Sequence, residues 1–249
     1  MAAVVFIFGL VIGSFLNVCI YRIPLDKSIV YPPSSCPYCG NRIKWYDNVP
    51  VLSYLFLGGR CRFCKEKISL IYPFIEILTA TISLLIYIKY GLSIQMAVFL
   101  ILSYMLIVGS FIDLKYYIIP DRISFGLILF GIISSYFVDI GVLHSILGAV
   151  FGFLILYIVA VLGKIIFKKD AMGGGDIKLL AGIGAFLGIK GVLFTLFFAS
   201  FLGSIVGVTL ILLGKKDISS RLPFGPFLSV SAIVYLFAGV KIIYMLYGF

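Results

Sequence analysis

Met172-Gly173-Gly174-Gly175-Asp176-Ile177-Lys178 runs straight into Leu179-Leu180-Ala181-Gly182-Ile183-Gly184-Ala185-Phe186-Leu187-Gly188. Three glycines thus lead into an acid at the head of an apolar segment. A carboxylate at the edge of a bilayer must be paired, protonated or put to use, because taking its charge out of water is expensive. The glycines remove the Cβ atoms that would hold another backbone away. As a helix, residues 177–188 rise only about 18 Å, short of the roughly 30 Å hydrocarbon core of a bilayer. So short a helix is expected to be buried among neighbours and packed closely through its small residues.

The chain around that run reads as membrane. Of its 249 residues 62% are apolar and 12% charged, against roughly 25% charged in soluble domains. Spans of about 20 residues are expected near 2–21, 73–88, 94–112, 123–138, 142–163, 177–188, 191–213 and 224–247. The implied fold class is an all-α polytopic membrane protein of about eight transmembrane helices, with the lipid bilayer as its first partner. The net charge of +10 does not indicate nucleic acid, because the basic residues form no single stripe. They sort by side instead, as the positive-inside rule describes. With the N-terminus outside, segments 22–72, 113–122, 164–176 and 214–222 share one face. Together with Lys178 they hold 17 of the 20 Lys and Arg residues. That face is expected to be cytoplasmic, leaving Lys89, Lys190 and Lys241 on the other side. No basic residue precedes the first apolar run and no small-x-small site closes it, so it reads as a retained helix.

Segment 22–72 is the one sizeable polar insertion. It carries Cys36-Pro37-Tyr38-Cys39 and, after 21 intervening residues, Cys61-Arg62-Phe63-Cys64. Each Cys-x-x-Cys can chelate one side of a tetrahedral ion, and the intervening chain closes the loop. On a reducing cytoplasmic face thiolates bind metal more readily than they pair as disulfides. The expectation is a structural Zn2+ on Cys36, Cys39, Cys61 and Cys64, with redox dithiols as the alternative. Some fifty residues can hardly bury a self-sufficient core, so the metal would supply folding energy. Cys19 lies inside the first span and reads as a small buried apolar residue.

The acids are few. Asp113 ends the third span, in Gly109-Ser110-Phe111-Ile112-Asp113, where a negative charge opposes the helix dipole; an unfavourable placement hints at use. Asp121 follows Pro120 and reads as an N-cap. Asp139 falls on the outer face, and Asp170 is a solvated neighbour of Lys168 and Lys169. Glu76 lies about one turn inside the second span, either favoured by the helix N-terminus or functional. Pro223-Phe224-Gly225-Pro226 cannot continue a helix unbroken. It reads either as irregular backbone lining a polar cavity or as a plain helix start.

Asp113 and Asp176 therefore arrive at one cytoplasmic boundary on different helices. His144, the one histidine, is opposite, so no Ser-His pair exists at that depth. Two aspartates sharing a proton can hydrolyse a peptide, one as base toward water and the other as acid toward the carbonyl. The competing class is a polytopic transporter using Asp113 and Asp176 as a proton or cation relay. That reading calls for inverted repeats and mid-membrane broken helices; no internal repeat is evident.

At this point the chain resembles the type IV prepilin peptidases, membrane aspartic proteases of the Gly-x-Gly-Asp class. The likeness rests on Gly13-Ser14-Phe15-Leu16-Asn17-Val18 with Arg22 and Pro24, the four cysteines, Asp47-Asn48-Val49-Pro50, and Tyr72-Pro73 with Glu76. It continues through Asp113 with Pro120-Asp121, Gly173-Gly174-Gly175-Asp176 with Lys178, and Pro223-Phe224-Gly225-Pro226. Gly-x-Gly-Asp alone is a short pattern; all of these in order are specific. The resemblance implies a bacterial inner-membrane enzyme that cleaves the basic leader from type IV prepilins and type II secretion pseudopilins on the cytoplasmic side. The catalytic aspartates carry over onto Asp113 and Asp176, with Gly173, Gly175, Lys178, Pro223 and Gly225 positioning substrate. The cysteine segment implies a second activity, N-methylation of the new N-terminus with S-adenosylmethionine. No glycine fingerprint marks a site for that cofactor; Asn17, Asp47, Asn48 and Glu76 are its polar candidates. The implied organisation is a first helix (1–21), a zinc-binding methyltransferase segment (22–72) and a membrane-embedded peptidase core (73–249).

Overall fold

The computed structural model describes residues 1–138, 140–168, 172–214 and 222–239. Asp139, Lys169, Asp170, Lys215, Lys216, Arg221 and Lys241, all weighed above, lie outside them. The described residues are helical, with no strand beyond two isolated bridges. They divide into two compact units, Met1–Met96 and Ala97–Phe249.

The first unit pairs α1 (Ala2–Arg22) with α3 (Ile71–Tyr90) and carries the polar insertion between them. The two helices approach to backbone contact because Gly9 and Gly13 sit one turn apart on α1. A Cβ on either would lie 2.6 Å from a Cα of α3, that of Ala80 or Glu76. This is the small-residue packing that apolar helices use where hydrophobic burial gives no drive to associate. The insertion holds a 3-10 turn at Trp45–Asn48 and a short helix α2 (Leu52–Phe56).

The second unit is built on α4 (Ile94–Tyr116), α5 (Asp121–Ser134), α6 (Val142–Phe167), α7 (Gly174–Leu212) and α8 (Gly225–Val234), which runs into a π turn at Tyr235–Gly239. Helix α7 is its hub, packing against α5, α6 and α8. Its first arm is buried without interruption from Leu179 to Gly188, as expected for a helix too short to face lipid. Gly148 of α6 and Gly184 of α7 let these helices touch along their backbones, for a Cβ on either would collide with the other's carbonyl.

Among the described residues five helices are long and apolar enough to cross a membrane: α1 with its 3-10 extension, α3, α4, α6 and α7. The protein is a multi-pass membrane protein. Several boundaries differ from expectation, three of them at or near the second unit's functional residues or bends. The spans expected at 177–188 and 191–213 form one 39-residue helix, bent where Gly188 takes φ 67°, a conformation that only glycine adopts readily. Helix α5, expected to reach residue 138, ends at Ser134; the Ser134 and Ser135 hydroxyls turn back to donate to Gly131 O at 3.1 Å and Ile132 O at 2.6 Å, which competes with continued helix. Helix α4 runs one turn past residue 112, so Asp113 lies within its last turn.

Candidate active site and metal centre

In the second unit the two aspartates meet at a third helix end. Asp113 is 5% exposed, and its Oδ2 accepts the Gly225 backbone N–H at 3.0 Å. Gly225 is the first residue of α8, so that N–H has no partner within its own helix and carries the positive end of the helix dipole. The disadvantage of an acid at the C-terminal end of α4 is thereby offset by the N-terminal end of α8. Phe224 takes the N-cap position at φ −90°, ψ −24°, and Pro226 sits in the first turn of α8, where a missing N–H does no harm. The Pro-x-Gly-Pro run is thus a helix start, and it also lines a polar centre.

Asp176 is the third residue of α7, after Gly173 as N-cap, and its N–H donates to Gly173 O at 3.2 Å. It lies within electrostatic reach of Asp113 and of the Gly225 N–H. Its Oδ1 is buried and takes no hydrogen bond from the described residues. The geometry therefore presents one carboxylate oxygen tied to a backbone donor and another open to a proton or to water. Two carboxylates so arranged supply a base and an acid together.

The neighbouring glycines have distinct surroundings. A Cβ on Gly225 would stand 2.8 Å from Asp113 Oδ2, and one on Gly173 would stand 3.4 Å from Asp176 Oδ2. Gly175 clears space for Ile119, whose Cβ would be 3.0 Å from an added Cβ, while nothing faces Gly174. Ile119, in the link from α4 to α5, thus touches both glycine elements of the site; nothing in its apolar side chain marked it in the sequence. Lys178 Nζ donates to Asp121 Oδ1 at 2.6 Å and lies over the Phe125 ring at 5.4 Å. Asp121 is not the cap expected of it: Pro120 holds the N-cap position with no side-chain bond, and the carboxylate is committed to Lys178.

In the first unit the four cysteine Sγ atoms all lie within 4.8 Å of one another. Each Cys-x-x-Cys forms a knuckle of the same design. An antiparallel bridge closes it, Ser35 with Arg42 and Arg60 with Lys67. The N–H of the residue just after the second cysteine turns back to the first: Gly40 donates to Cys36 O at 2.9 Å and Lys65 to Cys61 O at 3.1 Å. Gly40 and Lys65 both take positive φ, 70° and 60°. Cys36 Sγ and Cys64 Sγ, from different knuckles, are 3.8 Å apart, which is about the edge of a tetrahedron with metal–sulfur bonds of about 2.3 Å. Backbone N–H groups of Cys64 and Phe63 draw the Cys61 thiol down to about 7, and that of Asn41 lowers Cys39; both shifts favour the thiolate that a metal needs. The donor set fits a single tetrahedral ion. Cys19 lies apart, buried in α1.

The other polar candidates of this unit are engaged within the protein. Asn17 Nδ2 donates to Tyr72 O at 3.1 Å, tying α1 to the start of α3. Asp47 takes a two-pronged pair from Arg62, at 2.8 Å to Nε and 2.5 Å to Nη2, and the guanidinium holds its carboxyl below the usual carboxylate range. Glu76 Oε2 accepts the Val51 N–H at 2.8 Å. Asn48 is exposed at the end of the 3-10 turn. With three of the four spent on internal bonds, the set does not fit as a cradle for S-adenosylmethionine. Val51 itself gave no signal in the sequence, yet it is a β-branched residue at φ 60°, ψ −49°, a placement costing on the order of 1–3 kcal/mol.

Residues 7–90 match the family described as Bacterial Peptidase A24 N-terminal domain, and residues 100–208 match the Type IV leader peptidase family. The chain is 36% identical to a protein of Pseudomonas putida named Prepilin leader peptidase/N-methyltransferase, over 95% of this chain and 90% of that one. Proteins of the same name from Aeromonas hydrophila (35% identity; 96% and 91% covered) and Pseudomonas aeruginosa (34%; 94% and 89%) are similar along nearly their whole length. No solved structure matches. With that identity sustained from end to end, the chain belongs to the prepilin leader peptidase/N-methyltransferase family.

Proposed function

We propose that this protein cleaves the leader peptides of type IV prepilins and type II secretion pseudopilins with Asp113 and Asp176, at the cytoplasmic face of a bacterial inner membrane. The observation that carries the reading is the meeting of two sequence-distant carboxylates at one helix N-terminus, with Gly225 N–H 3.0 Å from Asp113 Oδ2. One carboxylate takes a proton from water, and the resulting hydroxide adds to the scissile carbonyl carbon. The protonated partner gives its proton to the carbonyl oxygen. On collapse of the tetrahedral adduct the C–N bond breaks, the proton taken from water passes to the departing amine, and a hydroxyl of the adduct returns its proton to the second carboxylate as the carbonyl re-forms, which restores the singly protonated dyad. Gly173, Gly175 and Gly225 keep this centre open by presenting backbone where side chains would crowd the carboxylates or Ile119, and Pro223 leads the chain into the helix start beside it. The crowding of basic residues on one set of polar segments supports the cytoplasmic placement.

The same chain N-methylates the new N-terminus, with S-adenosylmethionine as the methyl donor, a reading supported by the names its relatives carry. A structural Zn2+ held by Cys36, Cys39, Cys61 and Cys64 joins the two knuckles and orders the insertion. The implied organisation keeps the first helix (1–21), the cysteine segment (22–72) as the methylating part and the remainder (73–249) as the peptidase. No observation favours a transporter. The test is incubation of the purified protein with a prepilin: a shortened pilin beginning just before its apolar helix is expected, with labelled methyl appearing on it when the donor is added. An uncut prepilin would overturn the proposal.

A further inference from the structure

Glu76 is a carboxylate buried to 8% exposure in an apolar helix, and the residue it holds is strained. Val51 stands at the centre of a γ-turn, with Leu52 N–H donating to Pro50 O at 2.6 Å. A γ-turn with positive φ at its centre is rare, and a β-branched residue there needs support from outside the turn. That support is the Glu76 Oε2, 2.8 Å from the Val51 N. Gly13 lies against the Glu76 backbone, so α1 closes the remaining side. Glu76 is the sixth residue of α3, past the first turn in which the helix dipole acts, so a favourable dipole does not explain it. At the other end of the same strap, Asp47 is forked by Arg62, which sits between Cys61 and Phe63 in the second knuckle. Residues 47–51 are therefore pinned by carboxylates at both ends, to the knuckle and to α3, and the exposed Asn48 lies between the pins.

We propose that Glu76 is a positioning residue for methyl transfer and not a ligand of the methyl donor: it latches the strained turn at Val51 and so fixes the strap that presents Asn48. This rests on the methylating activity proposed above. Cleavage has its own carboxylates on helices of the other unit and makes no use of the latch.

The test uses the full-length protein in lipid nanodiscs with a purified prepilin and S-adenosylmethionine carrying a tritiated methyl group. Glu76→Ala is expected to lower the methyl-transfer kcat by about tenfold or more at unchanged donor KM, with cleavage within about twofold of wild type. Deuterium exchange over residues 49–56 should quicken in the same variant, because the Val51 N–H is released. Adding Val51→Gly to Glu76→Ala should recover at least about half of the lost transfer, since glycine takes positive φ without the latch. Glu76→Gln should keep most of it, because its amide oxygen still accepts the Val51 N–H and its volume guards against simple misfolding. Three results would each overturn the proposal: a raised donor KM that Val51→Gly does not correct, a Glu76→Gln variant as impaired as Glu76→Ala, or unchanged exchange at Val51 in Glu76→Ala. Should wild-type protein cleave but transfer no methyl, the second activity fails as a reading, while the exchange measurement still decides whether the latch exists.

Discussion

Gly225 shows how one missing atom sets the chemistry. Its N–H reaches Asp113 because no Cβ intervenes; an alanine there would put a carbon 2.8 Å from the carboxylate oxygen and 3.0 Å from Ile119 Cδ1. Gly225→Ala is therefore expected to slow prepilin cleavage by about 10²-fold, the order found when one aligned donor is lost. The added carbon must displace Asp113 and Ile119 slightly, so a small fall in melting temperature is expected; a loss of activity no larger than the loss of folded protein would place the effect in folding. Lys178 is a different case. It was a candidate for positioning substrate, but its ammonium is paired with Asp121, with side chains 32% and 60% exposed. An ion pair in such surroundings contributes about 0–1 kcal/mol. Lys178→Ala should accordingly keep cleavage within about fivefold of wild type, the factor that 1 kcal/mol represents, as read from initial rates. A far larger loss in a folded variant would return Lys178 to the substrate.

At the scale of elements, Asp113 and Asp176 were legible because acids are rare in apolar chains and each stood at a helix end. The four cysteines were legible because chelation imposes a fixed spacing. The partners of these groups were not. Gly225 donates through its backbone, which every residue possesses, and Ile119 and Val51 are ordinary apolar residues whose role comes only from what folding brings beside them. Helix ends followed the same division. The bend at Gly188 needed a conformation, not a residue type, and seven other positions of α7 also hold glycine without bending it. The early end of α5 came from Ser134 and Ser135 turning back on their own helix, a choice that local pattern leaves open. Glu76 was read as a helix-start acid or a cofactor ligand, and its hydrogen bond to Val51 lies 25 residues away in sequence.

At the scale of the molecule, both units bring helices together along glycine backbones, and the first adds a four-cysteine cluster that orders its polar insertion. Replacing Cys36 or Cys61 by serine should remove about one zinc per chain, measured by elemental analysis, because a tetrahedral thiolate site does not survive loss of a ligand. Metal binding requires thiolates, so occupancy should hold at neutral pH and fall as acid protonates them. Absence of metal from the intact protein would contradict this account of the insertion. The central claim concerns the other unit: Asp113 and Asp176 act as one dyad. The most direct measurement is cleavage of a prepilin by purified wild-type, Asp113→Asn and Asp176→Asn proteins in the same lipid. The dyad predicts rapid cleavage by wild type and a loss of about 10²-fold to 10⁴-fold in each variant, the range for removal of a general acid or base. Either asparagine variant cleaving at the wild-type rate would contradict it.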